Sequence, residues 1–271
     1  WQRFFGNTRV VAGLIWLALV IVAAIVAPVL APQDPFEIID RPFLTPSGEH
    51  VFGTDSLGRS TWSGLVHGAR TTMVIAILAT LVSVAFGTVV GAVAGYYGRL
   101  VDDVLMRLTE FFQTIPSFIF AIVLVAILAP SATSLVIAIA VVSWPPIARV
   151  VRAEVLSVKA REFVQAAVIA GQADLAILFR QVLPNTLSPL IVTGSLLVAS
   201  AILLESALSF LGLGAPNLMS WGFMVGAGRS FLRDAWWLVT IPGVAILLTV
   251  LSINLVGEGL NDALNPRLSD L

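Results

Sequence analysis

Chemistry needs ionisable or nucleophilic side chains held close together, and this sequence supplies few of them. There is no cysteine, which excludes disulfides, thiol catalysis and thiolate metal sites. His50 and His67 are the two histidines and both fall in one polar stretch. A shared metal site there would need further ligands, and the pair reads as solvated. No His-Glu-x-x-His occurs. The lone lysine, Lys159, precedes Ala160, so the phosphate cradle Gly-x-x-x-x-Gly-Lys-Ser/Thr is absent. Glu205 is the one carboxylate beside a long apolar run at membrane depth, with Ser206 and Ser209 nearby. Two roles suit that trio. It could touch a solute in a path or gate, or the hydroxyls could simply hydrogen-bond the carboxylate. No catalytic constellation and no metal set is expected.

The elements that hold these residues are apolar. Of 271 residues, 58% are hydrophobic and 11% charged, against about 25% charged in a soluble domain. The excess apolar surface calls for lipid as solvent. A net charge of -1 gives no field for nucleic acid. The runs Val10–Gln33, Thr71–Gly98, Gln181–Leu204 and Ala235–Gly257 carry no charge. Phe111–Ala148 carries none either and is too long for one crossing; the turn-forming residues 130–134 divide it. A crossing helix needs about 20 apolar residues, so six spans are predicted. The first is longer than the apolar stretch of a signal peptide.

Basic residues set the orientation. Placing residues 1–9, 99–110, 149–185 and 258–271 inside puts ten of the 15 Lys and Arg there, from Arg3 and Arg9 to Arg267. Arg41, Arg59, Arg70, Arg229 and Arg233 then lie outside. Both termini are thus expected in the cytoplasm of a multi-pass inner-membrane protein. Residues 1–70 form a first helix plus an extended outer segment, and 71–271 a five-helix core with an inner loop over 149–185.

Within the core, Gly87, Gly91 and Gly95 recur every four residues, which clears one helix face for close packing. Asp103 and Arg107 can pair at i,i+4. Pro145-Pro146 would kink a helix that continues past Arg149 and Arg152. The inner loop holds a short helix, Arg161–Ala170, stopped by Gly171. A second helical piece, Gln172–Gln181, leads to Pro184, which opens the fifth span. The short helix cannot cross a membrane. It either lies on the membrane surface or seats Ala166, Ala167 and Ala170 in a partner's groove.

The loop resembles the cytoplasmic motif of ABC importer permeases: Glu-Ala-Ala, three residues, Gly, nine residues, Ile, one residue, Leu-Pro. Here the positions read Gln165-Ala166-Ala167, Gly171, Gln181 and Leu183-Pro184. Gln165 and Gln181 depart from the pattern. The outer stretch His50–Arg59, with Gly53, Thr54, Asp55, Gly58 and Arg59, is similar to the peptide and nickel class of these permeases. Ser60 stands where that class usually has Asp. Gly68-Ala69-Arg70, Glu205–Gly214 with Pro216 and Trp221-Gly222, and Asn254–Leu260 with Asp262 and Pro266-Arg267 resemble it too.

The resemblance implies an all-α fold of six transmembrane helices, the type I importer permease with a cytoplasmic coupling helix. It implies a second, C-type permease subunit that handles di- or oligopeptides, or alternatively nickel or another small solute, by alternating access. It implies four kinds of partner: a homologous second permease, two ATPase subunits or a fused one, an extracytoplasmic substrate-binding protein, and membrane lipid. ATP and Mg would be bound by the ATPases, with no cofactor in this chain. An ion-coupled secondary transporter is the rival class, and it would need ionisable groups at the midplane; the apolar runs hold none.

Overall fold

A computed structural model describes residues 4 and 6–264. Arg3, Pro266 and Arg267 lie outside the described residues. Helices make up the structure: α1 (Thr8–Ile25), α2 (Ala27–Leu30), α3 (Thr61–Tyr97), α4 (Arg99–Thr114), α5 (Ser117–Leu128), α6 (Ala132–Lys159), α7 (Glu162–Ile169), α8 (Asp174–Ile177), α9 (Leu187–Phe210), α10 (Trp221–Gly228) and α11 (Trp237–Leu264). Between α2 and α3, residues 31–60 are extended, with two isolated antiparallel bridges, Ile38 to Arg59 and Thr54 to Ser60.

Five helical segments are long and apolar enough to cross a membrane. The predicted third span takes a different form. Pro116, which has no N–H to give, breaks the helix, and α4 and α5 meet at 87°. The 12 residues of α5 reach about 18 Å, short of the ~30 Å hydrocarbon core. The 28-residue α6 runs on past Arg149 and Arg152, as expected, with Pro145 and Pro146 inside it. The 37-residue α3 is about 55 Å long and starts at Thr61, before the charge-free run. Its two ends separate two regions: residues 31–60 lead into its N-terminus, and the loop after α6 packs at its C-terminus. Outward-facing Ile15, Leu19, Val22 and Ile127 stay exposed, as lipid-facing residues do.

The α3–α6 seam is the most extensive helix contact in the bundle, and the three glycines make it close. A Cβ on Gly87 would lie 2.8 Å from the Trp144 carbonyl oxygen, one on Gly91 2.3 Å from that of Ala148, and one on Gly95 2.9 Å from that of Arg152. A second small-residue seam was not foreseen. A Cβ on Gly222 of α10 would meet the Ser206 carbonyl oxygen of α9 at 2.3 Å, and one on Gly226 that of Phe210 at 2.8 Å. The core proper gathers Ile75, Leu135, Ile139, Ile202, Leu208 and Trp221 from α3, α6, α9 and α10.

The ion pair expected between Asp103 and Arg107 does not form. Asp102 is the residue that faces α6, one helical position away from Asp103. Its carboxylate accepts from Arg152 Nε and Nη2 at 2.5 and 2.6 Å. Arg149 Nη1 donates to Gln113 at 3.0 Å. Leu105 and Phe112, on the same face as Asp102, pack on Val90, Trp144 and Ala148. Asp103 and Arg107 occupy the opposite, exposed face.

Candidate functional site

The loop after α6 is a small folded unit. In α7, Val164 and Ala167 are buried against the bundle, in a cluster with Tyr96, Val158, Ile177 and Val182. That turns Gln165, Ala166, Ile169 and Ala170 outward, with Phe163 and Val168 flanking them. Ile169 is 87% exposed. Ala167, expected among the groove-seating residues, thus anchors the helix to its own chain. The helix ends in a Schellman turn: Gly171 N–H donates to the Val168 carbonyl at 3.0 Å and Gln172 N–H to that of Ala167 at 3.2 Å. Gly171 has φ +72° and open space around its Cβ position. Its glycine is therefore demanded by backbone conformation alone.

Both departures from the motif are used as amide donors. Gln165 Nε2 donates to the Lys159 carbonyl at 2.9 Å, which a glutamate cannot do. Gln181 Nε2 donates to Gln172 Oε1 at 2.8 Å, tying the ends of the second piece together. That piece is not one helix. Asp174–Ile177 is α-helical, Leu178–Val182 forms a π turn and Leu183–Thr186 a 3-10 turn. Pro184 sits at the start of that 3-10 turn, exposed, with Leu183 half-buried. α9 follows directly.

Lys159, the lone lysine, braces this region in a way that spacing could not reveal. Its ammonium donates to the Tyr96 carbonyl in the last turn of α3 and lies 5.0 Å from the Tyr96 ring centre. The Tyr96 hydroxyl donates to Asp174 at 3.0 Å. α3, α6 and the loop are thereby joined at one point.

At the other end, the Gly53–Arg59 residues build the extended segment. Thr54 is buried; its hydroxyl donates to the Arg41 carbonyl at 2.7 Å and accepts from Leu44 N–H at 2.9 Å. Its carbonyl accepts from Trp237 Nε1 at 3.3 Å. Asp55 Oδ1 accepts from the N–H groups of Leu57 and Arg59, both at 2.8 Å. Gly53 and Gly58 have positive φ, and a Cβ would fall 2.4 Å from the Leu44 oxygen and 2.0 Å from the Asp40 oxygen. Arg59 stacks over Phe36 at 5.2 Å. His50 is 3.1 Å from Asp40, whose carboxyl is held below the usual range chiefly by the Arg41 N–H and then by His50. His67 bonds the Ala31 carbonyl at 2.9 Å. The histidines thus serve separate contacts. Among the described residues, no group of three or more His, Asp or Glu could hold a metal.

Glu205, Ser206 and Ser209 are all buried. The carboxylate accepts from Ser209 at 2.7 Å and Ser206 at 3.4 Å, and the hydroxyls of Ser220 and Thr72 also reach it. It joins α9 to α3 and to the N-terminus of α10, away from any open surface. The opposite face of α9 is the open one. Ser200, Leu203, Leu204 and Ala207 line a groove of about 470 Å³ with Ser117 of α5 and Ser143 and Pro146 of α6. Pro146 also borders a second groove of about 660 Å³, lined by Glu110, Gln113 and Arg149. Hydroxyls thus lead along α6 to a charged mouth near the loop.

Residues 87–270 match the binding-protein-dependent transport system inner membrane component family, and residues 1–46 match the N-terminal TM domain of oligopeptide transport permease C. This chain belongs to that family of permeases. The permease is 41% identical to the di/tripeptide transport system permease protein DppC of Pseudomonas aeruginosa, over all of this chain and 92% of that protein. It is 40% identical to the dipeptide permease DppC of Haemophilus influenzae, over 99% of this chain and 94% of that protein. Among solved structures, an inward-facing MetNI methionine ABC transporter shares the fold at a TM-score of 0.62 and 17% identity, over 74% of this chain and 96% of that one. The Gln165–Pro184 loop falls inside the matched region, and so do α6, α9 and both grooves.

Proposed function

We propose that this permease is one of two membrane subunits of an ATP-driven importer of di- or oligopeptides. The relatives carry di/tripeptide and dipeptide names, which favours peptides over nickel. The observation that carries the mechanism is α7, a short helix fixed by Val164 and Ala167 that presents Ala166, Ile169 and Ala170 outward. This face docks in a groove of an ATPase subunit, which binds ATP and Mg. Closure of two such ATPases moves α7. Lys159, Tyr96 and Asp174 pass that movement to α3 and α6, the pair with the most extensive contact in the bundle.

The α6 grooves form half of the path and a homologous permease closes the other half. Ser117, Ser143 and Ser200 offer hydroxyls to a peptide backbone without fixing its side chains. The termini and the α7 loop face the cytoplasm, and residues 31–60 meet an extracytoplasmic binding protein.

The test places a charge on the outward face. Ile169→Glu or Ala166→Glu leaves Val164 and Ala167 in place and is expected to abolish ATPase co-purification and peptide uptake while the subunit stays folded. Normal association with normal uptake would overturn the docking role. An uptake screen of the wild-type importer with dipeptides, longer peptides and nickel decides the substrate; uptake of nickel without peptides would reject the peptide reading.

A further inference from the structure

The tripeptide Gly68-Ala69-Arg70 in α3 has two residues with packing roles and one without. A Cβ on Gly68 would come within 3.0 Å of Trp221, and Ala69 is buried in the core. Arg70 is exposed, and among the described residues its side chain has neither an ion pair nor a hydrogen bond. It lines a groove of about 630 Å³ at the end of the bundle that carries residues 31–60. That is the size of a small-ligand site.

Four separate segments build this groove: residues 28–36, α3, the start of α6, and the 217–219 stretch before α10. Gln33 and Asn217 face it, and their side-chain amides also lack protein partners among the described residues. Asp34 faces it as well, its Oδ1 held by Phe36 N–H at 2.7 Å. Val74, Ile75 and Leu218 supply an apolar wall.

We propose that this groove is a reception site for a short zwitterionic peptide, with Arg70 taking the C-terminal carboxylate. A guanidinium fork suits a carboxylate in two parallel hydrogen bonds. Asp34 supplies the opposite charge for the N-terminal ammonium. The free amides of Gln33 and Asn217 each donate and accept, as a peptide bond requires. The apolar wall takes one side chain. This rests on the peptide-import reading above and adds where the permease first holds its substrate.

The test uses the whole assembly, both permeases with their ATPases in nanodiscs and no binding protein. Equilibrium dialysis measures a labelled dipeptide, its C-terminal amide and its N-acetyl form. The free dipeptide is expected to bind saturably, and the amide about ten-fold more weakly. Arg70→Ala is expected to weaken the free dipeptide to the level of the amide and to leave the amide unchanged. Arg70→Lys is expected to recover part of the loss, and Asp34→Asn to erase the preference over the N-acetyl form. Equal loss of all three peptides in Arg70→Ala, an unchanged dipeptide affinity, or no saturable binding at millimolar concentrations overturns the proposal. A second arm adds the binding protein and follows ATPase stimulation; an Arg70→Ala effect confined to the binding-protein concentration needed there also overturns the proposal, because it would make Arg70 a protein-docking residue. Uptake by the wild-type importer is measured alongside. An importer that moves no peptide fails the underlying reading, whereas one that moves peptides yet binds them normally in Arg70→Ala fails this inference alone.

Discussion

Gly91→Ala is expected to be the most damaging single methyl that can be added to the α3–α6 seam. The new Cβ would lie 2.3 Å from the Ala148 carbonyl oxygen and 2.9 Å from Val151 Cβ. Carbon–oxygen contacts settle at about 3.3–3.6 Å, so α6 must retreat by about 1 Å. A main-chain carbonyl inside a helix cannot turn aside as a flexible side chain would. The retreat also loosens the contacts at Gly87 and Gly95, whose Cβ positions lie 2.8 and 2.9 Å from the Trp144 and Arg152 carbonyl oxygens. Overpacking of this kind costs about 1–3 kcal/mol, and the rigid neighbour places it at the upper end. Alanine regains about 1 kcal/mol of helix propensity, leaving a net loss of about 2 kcal/mol. Gly243 in α11 is the control, because nothing lies within 4 Å of its Cβ position. Gly243→Ala is expected to be neutral or stabilising by up to about 1 kcal/mol. Thermal unfolding of the purified assembly, followed by tryptophan fluorescence, should therefore separate the two variants by roughly 4–12 °C in Tm. Equal Tm values would refute the claim that this seam is set by main-chain contact. On the mechanism proposed above, uptake should also fall in Gly91→Ala below its Tm.

Three further variants probe other joints. Asp102→Asn removes the charge opposite Arg152; with Arg152 about a third exposed, the loss should be about 1 kcal/mol, checked by a double-mutant cycle with Arg152→Ala. Glu205→Ala should destabilise by roughly 2–4 kcal/mol by leaving hydroxyls unpartnered and a void, while Glu205→Gln should keep most uptake; loss of uptake in a stably folded Glu205→Gln would return Glu205 to the path. Gly53→Ala places a Cβ 2.4 Å from the Leu44 oxygen and 2.9 Å from Trp237 Nε1, and should expose residues 31–60 to added protease without unfolding the helices.

The sequence revealed whatever depends on local rules. Charge-free runs became long helices because in lipid the backbone must satisfy itself. Gly87, Gly91 and Gly95 announced a seam because a repeat of four keeps one helix face. Gly171 announced a stop because only glycine takes φ +72° without strain. Pairings between distant segments were not legible. Nothing near Asp102 points to Arg152, and nothing near Lys159 points to Tyr96, because partners across a bundle share no spacing. The fragmented third span was also hidden, since composition alone cannot say that Pro116 ends one helix at a steep angle to the next.

Glu205 shows the deeper reason that the inner and outer faces of these helices were hard to tell apart. In a soluble helix a carboxylate marks the solvent face, because the other face is apolar. In lipid both faces of α9 are apolar, so that contrast vanishes and polarity changes its meaning. The carboxylate with its hydroxyls turned inward, where Ser209, Ser206, Ser220 and Thr72 could satisfy it. Ser200, a single hydroxyl that can bond its own helix, stayed on the open face; its oxygen lies 3.5 Å from the Leu196 carbonyl. A side chain that must find partners is drawn into the bundle, and one that can satisfy itself is free to line a groove. On that rule Ser200, unremarkable in sequence, is a better candidate for the path than the one acidic residue that attracted attention there, and Ser117 and Ser143 line the same groove.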